Sequence, residues 1–302
     1  MLISALLITI IFFSQIADPS QSDLAAQVGQ QVERIKTISG SSENSFFELT
    51  ATSRADDSTA RLIDYGMEAV PYLTPHLADT SLTQAYRVHG NGSTKQVAVN
   101  EYVLYVIEKI AGRNFSPSYN SAAVLEAEAL QSRILSWWRE NRSKSLLERK
   151  IDDVSDAEHS NRFSAYEWLG RTRAKEGKLP LEQRINTLLT GEVNSLKQSE
   201  MAACAESLGQ IGDGDSAVAV RKVSDHLSYW LHMSYRPVEQ GRAGTWSGQI
   251  ADLFKAYHAL AVLGFKDEAL SHLRELGTKY LEEMDASAQT EFRLALEKAE
   301  QW

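Results

Sequence analysis

Three short stretches of this 302-residue chain share one pattern: a small residue, three others, a large apolar residue, then glycine. They are "AYEWLG" (Ala165 to Gly170), "CAESLG" (Cys204 to Gly209) and "ALAVLG" (Ala259 to Gly264). Each ends an amphipathic stretch, and glycine readily takes the left-handed backbone that closes a helix. Gly209 follows Gly170 by 39 positions, and Gly264 follows Gly209 by 55. A polar stretch from Ser234 to Gln249 accounts for the 16 extra positions, leaving an underlying spacing near forty. A period of roughly 40 residues is that of stacked helix pairs. Such a pair buries its apolar face only on its neighbours, so the chain is expected to form an array with atypical ends.

Looser copies precede these three. "ARLIDYGMEAVPYLTPHLAD" places a helix end at Gly66 and Val70, Leu73 and Leu77 on one face of the next helix. "VLYVIEKIAG" closes at Gly112, before the long stretch "AAVLEAEALQSRILSWW". The reading is all-α: about five antiparallel helix pairs stacked as an α-solenoid. First helices end near Gly66, Gly112, Arg173, Gly209 and Gly264. Second helices run over about 68–79, 121–140, 180–190, 215–233 and 266–280. "DLAAQVGQQVERIKTI", with Leu24, Val28, Val32 and Ile35 on one side, caps the array at one end, and residues 287–302 cap the other. With 43% apolar residues and only 6 prolines, the composition allows a sizeable helical core. The adjacent Trp137 and Trp138 cannot share one helix face, so one is expected to pack and the other to lie toward the surface.

The repeat "EMAACAESLGQIGDGDSAVAVRKV" resembles the HEAT-like repeats of the bacterial phycobilisome-lyase type. The residues that carry this are Ala202, Ala205, Leu208, Gly209, Gly212, Asp213, Ala217 and Val218. "LIDYGMEAVPYLTPHLAD" is similar to a second form of the repeat, through Gly66, Ala69, Val70, Pro71 and Leu73. The resemblance implies a fold but transfers no activity, since such repeats serve as scaffolds, chaperone-like partners and occasional enzymes. One enzymatic branch of these proteins binds iron through His-Glu dipeptides. None of the 7 histidines here is followed by glutamate, so that branch is not implied.

The N-terminal run "MLISALLITIIFFSQIA" is apolar through Phe13. About a dozen apolar residues suit the core of a signal peptide better than a bilayer span of roughly twenty. Residues 1–22 are therefore expected to be a signal peptide or an uncleaved membrane anchor, and 23–302 one exported domain, periplasmic or secreted. Cys204 is the single cysteine, so no intramolecular disulfide forms and the fold rests on packing. It occupies the small position of the pattern, which tight helix contact explains without a reactive thiol. A net charge of −9 lacks the basic footprint that nucleic acid requires.

Motifs for chemistry fail on spacing. "GTWSG" places Ser247 one position too late for a nucleophile elbow, and "HGNGS" lacks the lysine of a phosphate loop. The Asp213-Gly-Asp215 pair has no glutamate twelve positions on from Asp213, so it reads as a helix-starting turn rather than a calcium loop. No catalytic residue, metal or cofactor is expected. What stands out is two insertions, 80–96 and 234–248, each between a second helix and the next first helix. Long loops on a rigid scaffold commonly carry binding, and aromatic and arginine side chains dominate binding hot spots. Tyr86, Arg87, His89, Tyr235, Arg236, Arg242 and Trp246 are the expected contact residues. The expected function is a monomeric scaffold holding a protein or peptide partner on a concave face and these loops. The alternative is a lyase-like or chaperone-like enzyme subunit that handles a small ligand between repeats.

Overall fold

The structure, a computed structural model, describes residues 19–37, 39–42, 58–88, 94–115, 126–190, 194–234, 246–284 and 286–302. Helices dominate, and the all-α class holds apart from one three-stranded sheet. Most of the expected signal segment, residues 1–18, lies outside the described residues. No helix among the described residues is long and apolar enough to cross a membrane. The single domain expected over 23–302 meets a chain that divides into two compact units, Met1–Arg142 and Ser143–Trp302.

Unit 1 opens with α1 (Pro19–Ile35), followed by β1 (Ser39–Ser42) and α2 (Ser58–Asp64). Val28, Val32 and Ile35 of α1 are fully buried, as their common face predicts. The segment expected as a second helix over 68–79 is broken into a 3-10 turn Gly66–Ala69, a single α-turn α3 (Val70–Leu73) and a second 3-10 turn Thr74–Ala78. Pro71 and Pro75 bring no N–H to a helical ladder, which accounts for the interruption. The strands β2 (Leu82–Val88) and β3 (Thr94–Ala98) follow, then α4 (Val99–Ala111) and α5 (Ala127–Asn141). Gly112 closes α4 in the left-handed conformation, φ 71°, with its N–H on the Glu108 carbonyl. Both tryptophans of α5 pack on the unit 1 core, contrary to the expected split. Trp138 Nε1 donates to the Met67 carbonyl at 2.7 Å, and Trp137 meets Phe115 edge-on at 5.1 Å.

The sheet corrects the reading of 80–96 as a loop. β1 runs parallel to β2, pairing Ser39 with Gln84 and Ser42 with Arg87. β2 and β3 form an antiparallel hairpin, Leu82 opposite Ala98 and Tyr86 opposite Gln96, with an irregular register between. Thr83 fills that gap in the ladder: its hydroxyl donates to the Val97 carbonyl at 2.8 Å and accepts from the Ala85 N–H at 3.2 Å. Thr83 and Ala85 are buried, whereas Leu82, Gln84 and Tyr86 face outward.

Unit 2 contains α6 (Leu146–Asp153), α7 (His159–Arg171), α8 (Lys178–Leu188), α9 (Ser195–Ile211), α10 (Ala217–Ser234), α11 (Trp246–Leu260), α12 (Lys266–Tyr280) and α13 (Ala286–Ala299). α9 packs between α7 and α11, α8 packs on α9, α10 packs on α9 and α11, and α13 follows on α11. α6, which the periodicity does not reveal, starts at a capping box in which Ser145 and Glu148 satisfy each other's backbone N–H.

Gly170 and Gly209 do not end helices; both lie inside them. The left-handed residues that close α7 and α9 come three positions later, Arg173 (φ 53°) and Gly212 (φ 78°); after α11 the same role falls to Gly264 (φ 98°). Aligning these three superposes Leu169, Leu208 and Leu260, and likewise Ala165, Cys204 and Ala256, all buried. The third segment is thus three positions out of the expected register, and the extra length before it is 13 residues rather than 16. The inner glycines serve close approach instead. A Cβ on Gly209 would lie 2.8 Å from the Ala259 Cα, and one on Gly170 would lie 2.9 Å from the Ser207 Cα.

Candidate functional site

Of the seven expected contact residues, Tyr86, Arg87 and Trp246 lie among the described residues. Tyr86 stands on the outward face of β2 with 45% of its surface exposed, and Arg87 pairs with Lys95 in the same hairpin. Both belong to unit 1. Trp246 is the first residue of α11 in unit 2. His89, Tyr235, Arg236 and Arg242 lie outside the described residues.

The densest polar cluster lies inside unit 2, around Glu200. Its carboxylate is 1% exposed and receives the Arg162 fork at 2.8 and 3.0 Å. Arg184 Nε at 2.7 Å and the Tyr166 hydroxyl at 2.6 Å complete its shell. Burial would raise this carboxyl, but the hydrogen bonds from Arg162, Tyr166 and Arg184 outweigh it and hold the group below its ordinary value. Cys204, one turn further along α9, is fully buried; burial first and the Glu200 charge second push its thiol well up. A thiol so held stays protonated and inert, consistent with its place as a small packing residue. Every charge in the cluster is met within the protein, so it ties α7, α8 and α9 together and presents nothing to a ligand.

Asp213 is likewise accounted for locally. Its carboxylate accepts the Asp215 N–H at 3.1 Å and pairs with Lys178 at 2.7 Å, starting the turn before α10 as the sequence suggests. Among the described residues no group of three or more metal-ligating side chains converges.

An open cleft of about 320 Å³ lies between α10, α11 and α12. α10 contributes Asp225, Ser228 and Tyr229, spaced i, i+3, i+4 on one helix face. α11 contributes Tyr257, and α12 contributes His272, Glu275, Leu276, Lys279 and Tyr280. Tyr257 forms the floor: 2% exposed, it stacks on His272 with centroids 6.1 Å apart, and its hydroxyl lies 3.1 Å from Ser228 Oγ. Ser228 donates its own hydrogen to the Ser224 carbonyl at 2.7 Å, so Tyr257 is the donor of the pair. Burial, then the negative charges of Asp225, Glu275 and Glu268, push the Tyr257 hydroxyl up. A serine whose proton sits on a backbone carbonyl and a tyrosine held neutral make a binding wall rather than an activated nucleophile. Sequence reasoning missed this cleft because its residues come from three helices; the only local signal is the i, i+3, i+4 recurrence of polar and aromatic types on α10 and α12.

No protein-family model, curated protein or solved structure matches this chain.

Proposed function

We propose that the chain is a non-catalytic scaffold of HEAT-like helix pairs, and that it binds a protein or peptide segment on unit 2 where α10, α11 and α12 form the cleft. The cleft is the observation that carries the proposal. It is open, combines three tyrosines with polar groups of both signs, and leaves Tyr229 56% exposed on its rim. Exposed aromatic side chains beside polar neighbours are the composition of a binding hot spot. Support for a HEAT-like repeat comes from the common register of α7, α9 and α11 and their glycine-mediated contacts. The proposal places the chain in an exported compartment, in keeping with the apolar N-terminal run. The outward face of β2 with Tyr86 and Leu82 is a secondary contact surface on the same reading.

The test uses a displayed random-peptide library panned on the full chain. Selected peptides should lose about ten-fold or more in affinity, roughly 1.4 kcal/mol, on Tyr229→Ala, with helicity unchanged by circular dichroism. Selected peptides that bind this variant as tightly as the parent would move the site away from the cleft.

A further inference from the structure

The cleft has a charge bias that its aromatic lining alone does not explain. Asp225 stands on the α10 wall and Glu275 on the α12 wall, both exposed and both facing the Tyr257 floor. Among the described residues neither is closed into an ion pair. The adjacent Glu268 differs, since it is clamped by the Arg221 fork at 2.6 and 2.7 Å. That arginine is therefore occupied, lying 4.2 Å from the Phe265 ring centroid as well. The one cation in the lining, Lys279, has its ammonium 4.9 Å from the Tyr280 ring centroid. The chain itself thus already places an ammonium against a tyrosine of this cleft.

We infer that the cleft takes the cationic side chain of an arginine or lysine in the bound segment, between the Asp225 and Glu275 carboxylates and against the Tyr229 ring. This rests on the binding-scaffold reading and names what that scaffold recognises. Carboxylates on two walls, with the exposed Tyr229 ring one turn beyond Asp225 on the α10 wall, attract a cation into the cleft. An anionic side chain would meet two like charges. A neutral occupant such as a sugar would cover two carboxylates without supplying a counter-charge, at a desolvation cost that a cation offsets. Because both acids are exposed, the attraction is screened by salt and should weaken as ionic strength rises.

The experiment compares synthetic copies of library-selected peptides with versions in which each arginine is replaced by citrulline, its neutral isostere. Binding is measured on the full chain and on the doubly neutralised Asp225→Asn, Glu275→Gln variant. Enrichment of arginine or lysine at one peptide position is expected, with about a ten-fold loss for citrulline there and a similar loss for the acid variant. The two changes together should lose scarcely more than either alone, because they remove the same interaction. Citrulline peptides that bind as tightly as the parents would overturn the inference, as would a neutral sugar bound equally by both proteins. Failure of the scaffold reading looks different: no peptide enriches, or those that do are indifferent to Tyr229→Ala.

Discussion

In unit 2 helices meet backbone to backbone at Gly170 and Gly209, and a buried charged cluster around Glu200 joins three of them. In unit 1 the contacts run through large side chains: Tyr102 against Tyr105, Phe115 against Trp137, and Arg113 over both Phe115 and Trp137 at 5.6 and 5.8 Å. One of its buried polar contacts is neutral, a hydroxyl pair between Thr59 and Tyr102 at 2.8 Å. The difference teaches what regularity costs. Close approach at Gly170 and Gly209 leaves no room for a side chain between α7 and α9 or between α9 and α11. Bulky rings and guanidinium groups fill gaps of varied shape, so unit 1 accommodates a single α-turn and a bulged hairpin.

The sharpest break in this comparison is at the polar centres. Glu200→Ala would leave Arg162 buried and Arg184 half-buried without their carboxylate and should destabilise unit 2 by about 3 kcal/mol in urea melts. Tyr102→Phe removes one neutral partner and should cost only about 1 kcal/mol. Similar losses at both would mean that the charges are not what separates the units. The pH dependence sharpens the same point. The folded Glu200 carboxyl lies below its unfolded value of about 4.3, so its contribution is fully present above that pH. It is lost as pH falls through the folded value, and wild type should therefore lose stability more steeply below about pH 4 than Glu200→Gln does. Parallel acid profiles would contradict this.

How far each unit could be read in advance follows from the same contrast. The periodicity located α8, α10 and α12 to within a few residues, because amphipathic pattern and helix length are local properties. It placed the end of α7 near Arg173, where it lies, but took Gly209 for a closing glycine, because a glycine that admits a neighbouring helix and one that turns the chain look alike in sequence; only φ and the neighbouring atoms distinguish them. It missed β2 and β3 because "LTQAYRV" has a polar-apolar alternation short enough to pass for a loop, and its partners are supplied from elsewhere in the chain. The contact residues were sought on insertions, which advertise themselves. The cleft is built from ordinary helix faces, and nothing local marks Tyr257 or Glu275 as neighbours.

A smaller test turns on two helical glycines with opposite surroundings. A Cβ at Gly209 would press on the Ala259 backbone, whereas one at Gly29, in α1, meets nothing within 4 Å. Alanine is favoured over glycine in a helix interior by about 1 kcal/mol. Gly29→Ala should therefore stabilise by about 1 kcal/mol. Gly209→Ala should destabilise by a net amount of about 1 kcal/mol, since overpacking of about 1–3 kcal/mol exceeds the same gain. Equal signs in denaturant titrations would show that unit 2 can spread its helices without loss.

The smallest effect concerns Arg173, the one left-handed residue among the described residues that is not glycine. Arg173 follows α7 in the left-handed conformation, with its N–H on the Gly170 carbonyl at 2.9 Å and the Ala174 N–H on Leu169 at 3.0 Å. Those two bonds are the Schellman closure of a helix, which places glycine most comfortably at this point. A side chain in this conformation costs about 1–2 kcal/mol, and glycine would relieve it. Against that stands the extra freedom glycine has when unfolded, about 0.5–1 kcal/mol. The side chain of Arg173 is exposed, so little else changes on its removal. Arg173→Gly should thus stabilise by about 0.5 kcal/mol, read as a higher urea midpoint at unchanged slope. A lower midpoint would mean that the arginine itself contributes to the turn, and that the end of α7 is held differently from the ends of α9 and α11.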